Sequence, residues 1–410
     1  MKKLYVLTAL FWLALTIIEA SSCRQTGLME AGPSEEDIMP LPFPSGMNAA
    51  EPHLFTDSSG TVWMTWLEKK DSTTTFRISR LEADRWSAPV TIATGSNWFV
   101  NWADYPQMVT NGKGDFLSAA LVKRSREKYA YDIQLFHSVN GLRWQGPVIA
   151  HDDGVAAEHG FVSMLPGPAD VLLTWLDGRN TQQKKNSKAA HAHAGAMTLR
   201  AAVMDYSGRK SAEWELDEMT CDCCQTSITR TDDGPVVVYR DRSHEEIRDI
   251  SIVRFGKGKW SPPRTIHPDN WKIDGCPVNG PRADARGNEL AVAWYSAPDN
   301  KPEVKLIFSH DGGMNFGKPL RIDEGKPLGR VDICMTDNNG VWVSWLEQDR
   351  IRLRYVSNDG TKGEALTVGL TSVNRSAGFP QMTRQGKSLV FAWTDDRKGF
   401  TIRTARMSTQ

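Results

Sequence analysis

A short apolar strand ending in an aromatic residue recurs along the chain, and this repetition constrains the fold more than any other feature. It reads Val62-Trp63-Met64-Thr65-Trp66, Leu172-Leu173-Thr174-Trp175, Val236-Val237-Val238-Tyr239, Ala291-Val292-Ala293-Trp294, Trp342-Val343-Ser344-Trp345 and Val390-Phe391-Ala392-Trp393. A degenerate copy stands at Leu117-Ser118-Ala119-Ala120-Leu121. Anchored on Trp66, Ala120, Trp175, Tyr239, Trp294, Trp345 and Trp393, the spacings are 54, 55, 64, 55, 51 and 48 residues. A period near 50 is that of propeller blades, small sheets that bury their faces only against a neighbouring copy. The pattern predicts an all-β propeller of seven four-stranded blades, six being the alternative count.

Each unit repeats one internal order. A first strand precedes the anchor strand, as in Pro106-Gln107-Met108-Val109. A third alternates polar and apolar residues, as in Val304-Lys305-Leu306-Ile307, and the fourth follows an aromatic residue, as after Trp144, Trp260 or Phe316. The last unit ends after its third strand, Thr401 to Met407. The stretch around Leu41-Pro42-Phe43 is therefore expected to supply the missing outer strand and close the ring, which removes exposed sheet edges. The 33 Gly and 21 Pro suit a turn-rich β fold. Lys and Arg number 49, as do Asp and Glu, so the net charge is zero. That balance, with no basic block, argues against a nucleic-acid partner.

The first residues read as a targeting segment. Lys2 and Lys3 precede an apolar run from Leu4 to Ile18, too short to span a bilayer, and Ala20-Ser21-Ser22-Cys23 follows. This resembles the lipobox of bacterial lipoproteins, which implies lipidation at Cys23. The expected organisation is a signal peptide at 1–22, a polar tether at 23–38 and one propeller domain at 39–410. The expected location is the cell envelope, with the membrane reached by the lipid anchor alone.

In a propeller, the starts of first strands and the ends of second strands ring one mouth of the central channel, a default ligand site. Second strands here end in Glu68, Asp177-Gly178-Arg179, Arg240-Asp241-Arg242, Glu347 and Asp395-Asp396-Arg397. First strands begin near Glu158-His159, Cys221 to Cys224, Cys276 to Asn279 and Arg330-Val331-Asp332. Arg179, Arg240, Arg242, Asn279, Arg330, Asp332 and Arg397 are thus candidate ligand contacts, the arginines suiting an anionic group. For any one of them the simpler reading is a strand-end charge paired with a neighbour or with water.

The cysteines are the sharpest signal. Cys221 and Cys223 are two apart, so in extended backbone they point to one side, roughly 7 Å apart at Cα. Cys224 adjoins them, and Cys276 opens the next unit. The longest spacing holds an insertion after Arg179, with His191-Ala192-His193 and Met197, which overhangs the same mouth. Thiolate, imidazole and thioether together suit copper, or zinc without the thioether. The metal candidates are Cys221, Cys223, Cys224, Cys276, His191 and His193. The competing reading is a disulfide, Cys221–Cys276 or one within 221–224, because exported proteins oxidise their thiols. Cys334, mid-strand between Ile333 and Met335, reads as a buried thiol.

Ser309-His310-Asp311-Gly312-Gly313-Met314-Asn315-Phe316 matches the Asp-box of sialidase-superfamily propellers, and Ser138 to Trp144 and Ser357 to Gly360 are partial copies. Cys221-Asp222-Cys223-Cys224, Tyr239-Arg240-Asp241-Arg242, Cys276 to Pro281 and Pro327 to Asp332 also resemble bacterial sialidase-like lipoproteins with a Cys-x-Cys-Cys motif. The resemblance implies a sialidase-like propeller with its ligand site opposite the Asp-boxes. The chain departs from sialidases in lacking their Arg-Ile-Pro segment, and Phe76-Arg77-Ile78-Ser79 is only an echo of it. The first functional reading is a metal-binding or anion-binding exported propeller. The second is an exo-acting, sialidase-type glycoside hydrolase on acidic sugars, with Asp177, Tyr239, Asp241 and Glu347 as candidate catalytic groups. The third is a non-catalytic interaction platform.

Overall fold

The computed structural model of the chain describes residues 33–44, 46–125, 129–181 and 195–409. Cys23 with the targeting segment, and His191 and His193, lie outside them. Seven antiparallel sheets follow one another. Blades 1 to 6 span residues 49–95, 107–149, 159–220, 227–267, 282–321 and 327–370, and blade 7 takes 381–408 with Ile38–Leu41 as its outer strand. That outer strand pairs Ile38 with Met407 and Leu41 with Thr404, so the two ends of the domain are stitched into one sheet. Phe43 then packs edge-on against Trp66, with ring centres 5.3 Å apart. Glu35–Asp37 form a single 3-10 turn before this strand, and the Glu35 carboxylate accepts Thr367 N at 2.6 Å.

The anchor strands are second strands, and their sequences explain their place. A blade has neighbours on both faces, so a second strand is covered on both sides and reads as a continuous apolar run. Val341–Glu347 is buried at every position. Trp66, Trp175, Trp294 and Trp345 are fully buried. Seven apolar clusters result, each bridging two adjacent blades; one joins Val304 and Leu306 of blade 5 to Val343 and Trp345 of blade 6.

The innermost strands are less regular. In blades 1, 3 and 6 the pairing slips by a residue near the mouth, and the slipped residue is left-handed: Glu51 (φ 58°), Phe161 (φ 55°) and Arg330 (φ 54°). Such bulges re-aim side chains. Acidic side chains tie neighbouring inner strands together: Asp104 accepts Phe161 N, Asp284 accepts Met335 N and Asp332 accepts Met382 N, each at 2.7 Å. In the blade 5 turn, Asp311 accepts Asn315 N at 2.8 Å, and Ser309 Oγ accepts Gly313 N at 2.9 Å.

Candidate functional site

The cysteine segment lies between the outer strand of blade 3, Lys210–Thr220, and the inner strand of blade 4, Ser227–Thr231. Cys221 N donates to Arg240 O at 3.1 Å, which fixes the segment to the mouth end of the blade 4 anchor strand. The Cys221 sulfur stands 3.8 Å from that of Cys223 and 3.5 Å from that of Cys224. These are contacts, not bonds, and all five described cysteines are free thiols. The three sulfurs lie within 4.8 Å of one another, a group whose donor atoms can hold a metal ion. Cys276, exposed in the loop before blade 5, stands outside this three-sulfur group but close enough to Cys223 for the two thiols to shift one another's acidity. Cys334 is buried apart from them against Met382 O.

Two donors point at these sulfurs. Arg248 Nη1 lies 3.3 Å from Cys221 Sγ, and Asn279 N lies 3.4 Å from Cys224 Sγ. Arg248 is held in turn by Glu246 at 2.8 Å. Hydrogen bonds from the Cys223 and Cys224 thiols, with the charges of Arg248 and Arg240, hold Cys221 well below the ordinary thiol range despite burial. The nearby Cys223 thiol also lowers Cys276. Donation to its neighbours raises Cys223, and burial raises Cys224. One thiolate is thus favoured within a cluster of thiols, the state in which cysteine binds metals. Met197 is not part of the set: it begins the third strand of blade 3 and is buried in the apolar core between blades 3 and 4.

The recurrent charges at strand ends have mostly structural partners. Residues two apart share one face of a strand, so an acid placed after the anchor aromatic meets its indole. Trp66 Nε1 donates to Glu68 at 2.9 Å, Trp175 Nε1 to Asp177 at 2.8 Å and Trp345 Nε1 to Glu347 at 2.7 Å. Glu347 also accepts Lys326 N at 2.7 Å and Glu324 N at 3.0 Å. Glu347→Ala would orphan three donors, so it is expected to cost about 2–3 kcal/mol of stability in urea unfolding. A change below about 0.5 kcal/mol would mean that the carboxylate is free for other work.

Burial pushes Asp177 up, but the Arg179 hydrogen bonds and His159 outweigh it and hold the carboxyl below its usual range. Tyr239 donates to Asp217, which burial raises; burial and the nearby Asp217 push Asp241 up to about 6. The arginines do not meet at one point. Arg179 binds Asp177 and Glu213, and Arg242 binds Glu246 and Asp222. Arg397 binds Asp395. Arg240 donates to the carbonyls of Asn279, Arg248 and Tyr295, and Arg330 to those of Gly378 and Asn374. Asn279 Oδ1 accepts Arg330 N at 2.7 Å, and Asp332 lies 3.7 Å from Arg282.

Sequence reasoning missed Arg248, because nothing local in Ile247-Arg248-Asp249 marks it as a thiolate partner. It also missed a cleft of about 610 Å³ at the same mouth, lined by Glu51, Lys69, Asp71, Trp102, Ser376 and Phe400 among others. Burial, then the nearby Asp104, pushes Glu51 up to about 8, and burial pushes Asp104 itself up to about 8. The Glu51 Oε2 atom is buried without a hydrogen-bond partner.

No protein-family model matches the chain, and no curated protein matches it. Solved structures are similar in fold. Polysaccharide lyase Uly1 is 9% identical, with 90% of this chain and 92% of that one covered and a TM-score of 0.54. A puromycin-hydrolyzing peptidase of Mycobacterium tuberculosis is 11% identical over 93% of this chain and 54% of that one, with a TM-score of 0.51. The K499G mutant of NanB sialidase from Streptococcus pneumoniae is 13% identical over 91% and 70%, with a TM-score of 0.46. At these identities the likeness is one of fold, which does not choose the chemistry.

Proposed function

We propose that the chain is an exported propeller that binds a thiophilic transition-metal ion, zinc or copper(I), on Cys221, Cys223 and Cys224, with Cys276 as the fourth ligand. The observation that carries this reading is the sulfur geometry. Zinc–thiolate bonds of about 2.3 Å in a tetrahedron set neighbouring sulfurs roughly 3.8 Å apart. The contacts of 3.8 and 3.5 Å are close to that spacing. The donors on Cys221 and Cys224 support it, since N–H groups facing sulfur orient and stabilise thiolate ligands. The residues hold, orient and shield such an ion; the ion itself supplies Lewis acidity, or one-electron chemistry in the case of copper.

The test is metal content with thiol titration on chain purified under reducing conditions. About one zinc or copper per chain is expected, with affinity reduced at least about 100-fold by Cys221→Ser. No retained metal, with thiols that oxidise in pairs, would overturn the reading and make the cluster a dithiol couple.

One observation favours a second reading, a glycoside hydrolase. The mouth cleft presents Glu51, a carboxyl raised to about 8 and so protonated at neutral pH, beside Asp104, and a carboxyl held protonated at neutral pH can serve as a general acid. This reading predicts hydrolysis of a chromogenic glycoside that Glu51→Gln abolishes. A panel of acidic and neutral glycosides left uncleaved by the wild type would remove it.

A further inference from the structure

The thiols at the mouth are not equally open. Cys221 has no exposed surface and Cys224 is 2% exposed, whereas Cys223 is half-buried and Cys276 is exposed. Nor are they equally held. Arg248 Nη1 faces Cys221 Sγ at 3.3 Å, and Asn279 N faces Cys224 Sγ at 3.4 Å. Among the described residues no N–H group faces Cys223, whose sulfur touches only that of Cys221, at 3.8 Å. Two sulfurs are therefore fixed and shielded, and the third is neither.

The loop that carries Cys276 runs from the outer strand of blade 4, which ends at His267, to Arg282 at the start of blade 5. It is pinned to the cluster on both sides of the cysteine. Before it, Arg248 N donates to Trp271 O at 2.9 Å and Ile273 N to Glu246 O at 3.0 Å, so the backbone beside the Cys221 partner holds the loop. After it, Asn279 N reaches Cys224 Sγ, and Gly280 N donates to the Gln225 side chain at 3.0 Å. Cys276 is three residues from each of Ile273 and Asn279, a reach of at most about 10 Å in extended backbone. The loop thus carries a solvent-facing thiol beside Cys223, the most open of the clustered sulfurs and the one that no donor holds.

We propose that Cys223 and Cys276 form a reversible redox pair, a switch that closes into a disulfide and releases the ion from the cysteine site. The release step rests on the metal reading above. The oxidant is a small-molecule disulfide. The Cys276 thiolate attacks one of its sulfurs, which breaks the reagent's S–S bond, forms a mixed disulfide and expels one thiolate. Cys223 then attacks the Cys276 sulfur, which forms the Cys223–Cys276 bond and expels the second thiolate. Two protein thiolates are oxidised, one external disulfide is reduced to two thiolates, and a zinc ion keeps its charge throughout. Two of the four sulfur ligands are then consumed, and Cys221 and Cys224 alone leave a four-coordinate site half empty. Cys221 and Cys224 are closer to one another, at 3.5 Å, but both are buried, and exchange with an external disulfide requires access. The buried pair keeps the site's shape while the open pair switches.

The test adds oxidised glutathione to the reduced full chain, with and without an equivalent of zinc. Peptide mapping by mass spectrometry identifies the first protein disulfide, and a chromophoric chelator reads zinc release. Cys223–Cys276 is expected to form first in both samples, with zinc leaving in step and a phosphine reductant restoring binding. Cys276→Ser, at an exposed position that serine fits, should slow the oxidant-dependent part of the release at least about 10-fold, with circular dichroism confirming the fold. A first disulfide between Cys221 and Cys224, or oxidant-dependent release in Cys276→Ser at the wild-type rate, would overturn the switch and leave the metal reading standing. Zinc retained by chain in which Cys223–Cys276 has formed would do the same. A reduced chain that holds no zinc would overturn the metal reading and the release step together, and the first disulfide of that zinc-free chain would still decide the pairing.

Discussion

Arg240→Met is expected to lower the unfolding free energy by about 3–5 kcal/mol, measured by urea denaturation with circular dichroism. Arg240 is only 1% exposed, and its guanidinium lies over the Trp271 ring, 4.9 Å from its centre. It donates to Asn279 O at 2.9 Å, Arg248 O at 2.7 Å and Tyr295 O at 2.6 Å. These carbonyls belong to blade 4 and to segments of blade 5, so one side chain ties two blades together at the mouth. Methionine fills much of the volume but donates nothing. Three buried carbonyls lose their partner, at about 1–3 kcal/mol each before relaxation. Arg248 and Asn279 both touch the cysteine cluster, so metal affinity should fall with stability. A residue kept to grip a ligand would behave in the opposite way, weakening binding while leaving the midpoint unchanged.

Glu51→Gln is expected to stabilise the chain by about 2–4 kcal/mol at pH 9 and by less than about 1 kcal/mol at pH 5. Burial, then the charge of Asp104, raises this carboxyl from its ordinary value to about 8. Between those limits the folded chain keeps a proton that the unfolded chain has released. Stability therefore falls as pH climbs through that window, by about 1.4 kcal/mol for each unit of difference. Below the ordinary carboxyl range both states hold the proton and the term vanishes. Glutamine mimics the protonated acid and cannot ionise, so it escapes the loss; local relaxation keeps the gain under the full figure. A carboxyl retained in a cleft against the interest of stability is the pattern of a functional group. Equal unfolding midpoints for the two proteins at both pH values would show that Glu51 is solvated.

The propeller was legible because its signal lies in periodicity. Seven apolar strands at a near-constant spacing admit few other arrangements, and the missing outer strand of the last unit called for a complement around Leu41-Pro42-Phe43, which the structure supplies slightly earlier, at Ile38–Leu41. The convergence of Cys221 and Cys223 was legible for the same local reason, a spacing of two in extended backbone. The acids at strand ends were legible as a pattern and misleading as chemistry. Their place at strand ends put them around a ligand-binding mouth, whereas the period-two geometry gives Glu68, Asp177 and Glu347 to the indoles of Trp66, Trp175 and Trp345. Arg240 and Arg330 likewise serve backbone carbonyls rather than an open mouth. Long-range pairings left no trace in the sequence: Arg248 lies 27 residues from Cys221, and no local pattern links them. The bulges that re-aim Glu51 and Arg330 were hidden too, since left-handed backbone is read from glycine and neither position has one.

The most direct measurement is X-ray absorption at the metal edge of chain loaded with one equivalent of zinc. A first shell of three to four sulfur atoms at about 2.3 Å is predicted, changing to fewer sulfurs with oxygen or nitrogen in their place in Cys221→Ser. A first shell of nitrogen and oxygen alone in the wild type would contradict the account and remove the cysteine cluster as the metal centre.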